Sequence, residues 1–494
     1  MYLLVDKFWM SKYPVNSQPA ILTQQATPTA GPTPGAFSPP PHSIAVLPFV
    51  NMSGDKDQEY FSDGLTEELL NSLVRINELQ VAARASSFSF KGKEADITTI
   101  ARKLNVGAVL EGSVRRGEHT IRVTAELTNA VTGFHLWSQT YDRPLSDVLQ
   151  LQTDIANAVT SALKIALLGN IAQKIAMGGT RNPSAFDAYL RATKAYRGDL
   201  DERSMLEAVA GYSEAIHLDP EFAMAYADRS FVLDGLSRNY AAGAKRRDYH
   251  EKAQADARKA ITLVPDLAVG HLALANIFNS TLDFAGANSE CARALALAPG
   301  DAKVLRRYGQ FEVLMGHSDV GLDALRRSVT LDPLNSDNHF VLGEALVWAR
   351  RPTEAVISFN EAKARQPDDA SVYGWLGYAY LIAHDFQSAK EACERTDETN
   401  RFHCLAMAYG GLGRRADAEA MLARVISMKS HSQGVFVAMI YAQRGDMDRA
   451  LDWLNEAVRE RDPYLEYVKT NPFLDPLRKE PRFQAIEREL KFPN

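Results

Sequence analysis

Cysteine is almost missing from this chain: Cys291, Cys393 and Cys404 are the three among 494 residues. An odd count, with no C-x-x-C spacing, excludes a disulfide framework. A strong excess of either sign of charge is missing too. The 55 basic and 61 acidic side chains leave a formal charge of −6. Without a basic surface, electrostatics does not point to nucleic acid as a partner of this chain. No uninterrupted apolar run reaches about 18 residues, so no transmembrane helix is expected in the sequence as it stands. No phosphate-binding loop, H-E-x-x-H, G-x-S-x-G or calcium-loop motif occurs. The lookalike FKGKE (90–94) lacks the first glycine and the Ser or Thr that would open a helix. Catalytic residues, bound metal and cofactors are therefore not expected.

The chain does contain a strongly uneven distribution of proline. Eight of its 22 prolines, from Pro14 to Pro41, fall in the first 42 residues. Residues 13–42 carry no Lys, Arg, Asp or Glu and are rich in Thr, Ala, Gln and Ser. Such a stretch cannot bury enough apolar surface to offset its ordering entropy. It reads as an extended tether, and a proline-recognition ligand is the alternative. The start, MYLLVDKFWMSK, matches the interfacial end of a membrane helix in its apolar residues followed by Lys7, Phe8, Trp9 and Lys12. A frayed terminus is the other reading.

Residues 43–170 predict a compact α+β unit in the order β-α-β-α-β-β-β-α. SIAVLPF (43–49) is a continuous apolar run that suits a strand buried on both faces. Phe61, Leu65, Leu69, Leu73 and Ile76 recur at helical spacing, and Leu79–Arg84 reads as a second strand. Asp96 can cap a helix that buries Ile97, Ile100, Ala101 and Leu104. Val106–Val114, the strictly alternating Thr120–Leu127, and Phe134–Tyr141 predict an antiparallel meander. A helix at 148–166 closes the unit. The acidic cluster Asp55, Asp57, Glu59, Asp63, Glu67 and Glu68 reads as a solvated helix start rather than a metal site.

Residues 181–494 carry a helical pattern that repeats. Pro265, Pro299, Pro333 and Pro367 stand 34 residues apart. Twelve residues before the unit-ending prolines sit Ala208, Ala253, Ala287, Gly321 and Ala355. Ten after come Gly309, Gly343 and Gly377. Small residues at those places let two antiparallel helices approach closely, and proline ends the second helix. The period and these positions resemble the tetratricopeptide repeat family. Eight units can be traced from Pro183 to Arg459, with an all-α superhelical solenoid at 181–462 and a capping segment at 463–494. Cys393 and Cys404 read as separate core residues of neighbouring helices.

The resemblance implies a binding groove lined by the first helix of each unit. The groove positions map to Asn276 and Asn279, then Lys303, Arg306, Arg307 and Gln310, then Asp337, Phe340 and Glu344, and Tyr378. Lys303 and Arg307 resemble part of a carboxylate clamp, but Ala273 stands where its asparagine belongs. The partner implied is a protein or peptide, held by a few polar anchors.

SIAVLPF, YFSDGLTEELLNSL and VGAVLEGSVRRGEHTIRVTAELTNAVTGFHLWSQTYDR resemble the TolB-like N-terminal domain of bacterial proteins. In that family a winged-helix or class III adenylyl cyclase output module often lies upstream, with a membrane helix and a Pro-rich tether between. The resemblance implies two functions: a non-enzymatic scaffold, or the sensory half of a membrane-tethered signalling protein whose output module lies outside this chain. It implies the periplasmic face of the inner membrane if the start is the end of a membrane helix, and the cytoplasm otherwise.

Overall fold

A computed structural model describes residues 37–76, 78–165, 177–197, 201–241, 243–428 and 433–493. Residues 1–36 of the expected tether, and residue 166 at the end of the helix expected at 148–166, lie outside the described residues.

β1 (Ser43–Val46) is buried along its whole length. It lies between two parallel neighbours, β3 (Gln80–Val81) and β4 (Ala108–Arg116). With neighbours on both edges and cover on both faces, the strand is apolar except at Ser43, whose hydroxyl accepts the Gly107 amide at 2.9 Å. β2 (Val50–Asn51) extends the same parallel pairing along β4. β4, β5 (Thr120–Asn129) and β6 (His135–Pro144) form an antiparallel meander, giving the order β3-β1-β4-β5-β6. The second meander turn closes where Gly133, at φ 74°, donates its amide to the Asn129 carbonyl.

The alternation along β5 resolves into two faces. Ile121, Val123, Ala125 and Leu127 are buried. They share a core with Phe61, Leu65, Leu69 and Leu73 of α1 (Glu59–Val74) and Val148, Leu151, Ile155 and Val159 of α4 (Val148–Ala162). α3 (Ile97–Leu104) starts where the Asp96 carboxylate accepts the Thr99 amide at 2.9 Å.

The stretch Leu79–Arg84 departs from expectation. Its strand is two residues long, and α2 (Arg84–Phe88) follows. The helical array takes the backbone groups a longer strand would use. Ala83 N–H donates to Leu331 O at 2.9 Å, and Ser86 N–H to Asp332 Oδ1 at 2.9 Å.

From Pro183 the described chain runs as eight successive helix pairs. They are α5 (Pro183–Tyr196) with α6 (Glu202–Leu218), α7 (Ala223–Asn239) with α8 (Gly243–Leu263), and α9 (Ala268–Ser280) with α10 (Phe284–Leu297). Next come α11 (Ala302–Leu314) with α12 (Ser318–Leu331), α13 (Ser336–Trp348) with α14 (Pro352–Arg365), and α15 (Ser371–Ile382) with α16 (Phe386–Cys393). α17 (Glu398–Gly411) with α18 (Arg415–Ser427) and α19 (Gly434–Gln443) with α20 (Met447–Glu460) complete the series. The first five second helices end at residues 218, 263, 297, 331 and 365, each two residues before a proline. The close approach within a pair is real at Gly309, where a Cβ would stand 2.6 Å from the Gly321 carbonyl oxygen. From α7 onward the first helices touch one another in sequence, whereas each second helix packs between consecutive first helices. The first helices therefore form the inner, concave layer.

The sheet unit docks on the start of this array. Tyr60 and Arg116 both reach Asp187 of α5, at 2.7 Å each. Glu67 bonds Arg84 at 2.8 Å and also takes Arg197 beyond the end of α5. The C-terminal stretch beyond 462 does more than cap the last pair. Its 3-10 turns at Pro463–Tyr467 and Pro472–Leu477, before α21 (Pro481–Leu490), bury Leu465, Val468, Leu474 and Leu477 completely.

Candidate functional site

The groove positions do lie on first helices: Asn276 and Asn279 on α9, Lys303 to Gln310 on α11, Asp337 to Glu344 on α13, Tyr378 on α15. The open groove expected there is not what the structure places. The chain's own C-terminal segment is seated on this face and engages several of these side chains directly.

Asn279 Nδ2 donates to the Glu466 carboxylate. Glu344 accepts from Tyr467 Oη at 3.3 Å and from Gln310 Nε2 at 3.2 Å. The Tyr467 ring stacks on Trp348, centroids 5.0 Å apart and planes at 27°. Tyr464 meets Phe436 edge-on at 4.7 Å, and Phe473 lies 5.4 Å from Tyr378. Tyr378 itself is buried, and its hydroxyl shares a 2.6 Å hydrogen bond with His403 Nδ1. His403 is sandwiched between Tyr378 and Phe436, and burial pulls its pKa down to about 3. The imidazole is neutral and structural at any ordinary pH.

The remaining anchors split. Asn276 Nδ2 donates to Asp234 Oδ2 at 2.6 Å, an intramolecular contact. Arg306 pairs with the exposed Asp337 at 3.2 Å on the rim. Lys303 keeps solvent access and holds its ammonium 4.3 Å over the Phe231 ring. Arg307 touches Gln310 Oε1 at 3.4 Å, and its buried Nε has no partner among the described residues. Burial, then the like charges of Arg306 and Arg238, pulls the Arg307 guanidinium down to about 10.

Two carboxyls meet on this face. Burial first, then the neighbouring Glu466, pushes Glu344 up to about 7. Glu466 is raised as well, mainly by burial and against the pull of Asn279 and Arg238. Burial and the mutual repulsion thus favour the protonated form of both carboxyls.

The cysteines require a correction. Cys393 at the end of α16 and Cys404 on α17 are joined by a disulfide, their Cα atoms 5.7 Å apart. The link between the helices is short enough to bring both sulfurs onto Gly377, where a Cβ would stand 2.5 Å from Cys404 Sγ and 2.7 Å from Cys393 Sγ. Cys291 stays a free buried thiol, pushed up to about 12, which leaves it without thiolate character. In the acidic cluster, Glu59 and Asp63 both pair with Lys91 at 2.6 Å. Among the described residues no group of three or more His, Cys, Asp or Glu is placed to hold a metal ion. No described helix is long and apolar enough to cross a membrane.

Trp348, Trp375, His403 and Phe436 belong to this face, and the groove positions of the repeat do not include them. The signal that could have found them is an excess of aromatic residues on first helices, more than helix pairing alone requires.

No protein-family model matches the chain. A Rhizobium meliloti (strain 1021) protein named "Putative adenylate cyclase 3" is 39% identical over 202 residues, which are 40% of this chain and 34% of that protein. The match thus spans about a third of that relative. Among solved structures, YrrB, described as a TPR protein with an unusual peptide-binding site, is 18% identical, covering 42% of this chain and 96% of its own at a TM-score of 0.29. PilW, a type IV pilus biogenesis factor, is 15% identical over 40% of this chain and 93% of its own, with a TM-score of 0.35. A thermophilic TPR protein of Thermus thermophilus is 14% identical over 40% of this chain and 99% of its own, with a TM-score of 0.34.

Proposed function

We propose that this chain is a non-enzymatic interaction scaffold of the tetratricopeptide type. In this reading a tether (1–42) carries a TolB-like unit (43–170), an array of eight repeats (181–462) and a C-terminal segment (463–494). The observation that carries the reading is the inner layer of first helices, whose polar and aromatic side chains across several pairs already hold a peptide segment, the chain's own C-terminal one. Affinity on such a face comes from a few desolvated aromatic and polar contacts rather than from area.

A second reading is the sensory half of a signalling protein. The relative named as an adenylate cyclase favours it, since this chain matches about a third of that protein. The Cys393–Cys404 bridge favours a place outside the cytoplasm, because such bonds persist in oxidising compartments. Thiol trapping in host cells, quenched in acid and alkylated after unfolding because both sulfurs are buried, tests the location. Both cysteines should resist alkylation until a reductant is added, and ready alkylation would place the chain in a reducing compartment.

Affinity capture from host lysate tests the scaffold, with the full wild-type chain as bait beside a Lys303→Glu, Arg306→Glu chain. The reading expects a partner that the wild type retains and the variant loses, at an unchanged helical melting curve. Equal capture by both chains would reject the inner face as the site.

A further inference from the structure

The inner face already holds a ligand-like segment. Receptor side chains donate to it in the manner of peptide recognition. Gln443 Nε2 donates to the Phe473 carbonyl at 2.8 Å, and an Arg350 guanidinium nitrogen to the Thr470 carbonyl at 3.3 Å. Arg350 also grips the Asp475 carboxylate at 2.6 Å, and Asn279 takes the Glu466 carboxylate. Two rings seat beside that carboxylate, Tyr464 on Phe436 and Tyr467 on Trp348. The contacts come from α9, α13, α19 and the turn after α13, while the segment's 3-10 turns satisfy part of their own backbone, as in Leu465 N–H to Asp462 O at 3.1 Å.

We propose that residues 463–477 are a resident occupant of the inner face, and that the partner this face fits is a peptide that takes a 3-10 turn and presents two aromatic rings around a carboxylate, the pattern of Tyr464-Leu465-Glu466-Tyr467. The proposal rests on the scaffold reading and names its partner class. A peptide of that chemistry competes with the segment for the same face. Displacement is eased by the meeting of Glu344 and Glu466, two acids whose joint ionisation opposes docking. The groups facing them are Asn279 of α9, Arg307 and Gln310 of α11, and Tyr467 of the segment itself, with Arg238 acting on Glu466. Because α20 and α21 hold both ends, the segment has an effective concentration on the order of millimolar, so a free peptide competes only when that docking is weakened or when it binds more tightly.

The test uses the full chain and a fluorescein-labelled synthetic peptide of residues 463–478. Wild type and a Glu466→Arg, Tyr467→Ala chain are titrated by anisotropy, and hydrogen exchange is followed on the amides of 463–477. The expected result is little binding to wild type and at least tenfold tighter binding to the variant, lost again when Trp348→Ala is added. The segment's amides should exchange faster in the variant. Faster exchange without peptide binding would overturn the proposal. A variant that fails to fold is covered by wild-type exchange alone, in which 463–477 should open before α20. Exchange no faster than α20 would make the segment an integral part of the core and overturn the proposal as well. The two readings fail separately. A lysate partner captured equally by wild type and by the Glu466→Arg, Tyr467→Ala chain leaves the scaffold standing and removes this proposal. Peptide binding without any captured partner removes the scaffold's cellular role and keeps the groove chemistry.

Discussion

Replacing Glu344 by Gln should change how stability depends on pH, by an amount the geometry sets. Glu344 is buried on α13, bonded to Tyr467 Oη and Gln310 Nε2, with Glu466 close by. A carboxyl held at about 7 instead of 4.5 keeps its proton in the folded chain over a range where the unfolded chain has released it. The folded state then binds more protons, so this site's contribution to stability falls as pH rises from about 4.5 to about 7 and stays level above that. At 1.36 kcal/mol for each pKa unit the full loss is about 3 kcal/mol. Glutamine has nearly the same shape, can serve both hydrogen-bond partners and cannot ionise. Glu344→Gln should match wild type near pH 5 and gain up to about 3 kcal/mol over it by pH 8. Urea unfolding followed by circular dichroism at pH 5, 6, 7 and 8 reads the difference. Other raised acids, Glu68 at about 7 and Asp462 at about 6, tilt both curves alike, so the gap between the two chains is the diagnostic quantity. Parallel curves across the whole range would refute the reasoning.

Gly377→Ala should lower stability by about 1–3 kcal/mol. Its new Cβ would meet both bridge sulfurs at 2.5 and 2.7 Å, and a melting curve with free-thiol titration shows whether the disulfide survives. Cys393→Ala with Cys404→Ala should cost about 3 kcal/mol in the chain-entropy account of a loop this short, measured by urea midpoint against wild type. Asp332→Ala should loosen the sheet unit from the array, because the Ser86 amide loses its buried acceptor at a cost of about 1–3 kcal/mol. Hydrogen exchange at residues 83–89 should then speed up while the α5–α6 pair is unchanged.

The helix pairs were legible because their signal is local and repeated. Small residues at Ala287, Gly309 and Gly321 recur at fixed distances from proline, and the two glycines mark a close helix contact. The meander was legible in the alternation of Ile121, Val123, Ala125 and Leu127 for the same reason. The seated C-terminal segment was not, because its contacts join residues far apart in the chain. Asn279 and Glu466 are 187 positions apart, and Arg350 and Asp475 are 125 apart. No periodicity spans such distances. One warning was present: Tyr464, Leu465, Tyr467, Val468, Phe473, Leu474 and Leu477 are too apolar for an exposed cap, and Pro463, Pro472 and Pro476 forbid one helix that could bury them. The disulfide escaped because an 11-residue spacing fixes no geometry until both helices are placed. The α2 helix escaped because the array, not the local sequence, decides its backbone pairing.

A linear repeat array usually unravels from its ends, since each repeat is held only by its neighbours. Here the returning C-terminal segment ties the eighth pair back to the third, and α2 ties the sheet unit to the turn after α12. The array is thereby fastened at two places by contacts between distant parts of the chain. Fraying of the eighth pair away from the third requires release of the segment between them. Fastening contacts made across as many as 187 residues also carry a kinetic signature. Contact order of that kind slows folding, because loop-closure entropy is spent before the long-range contacts reward it.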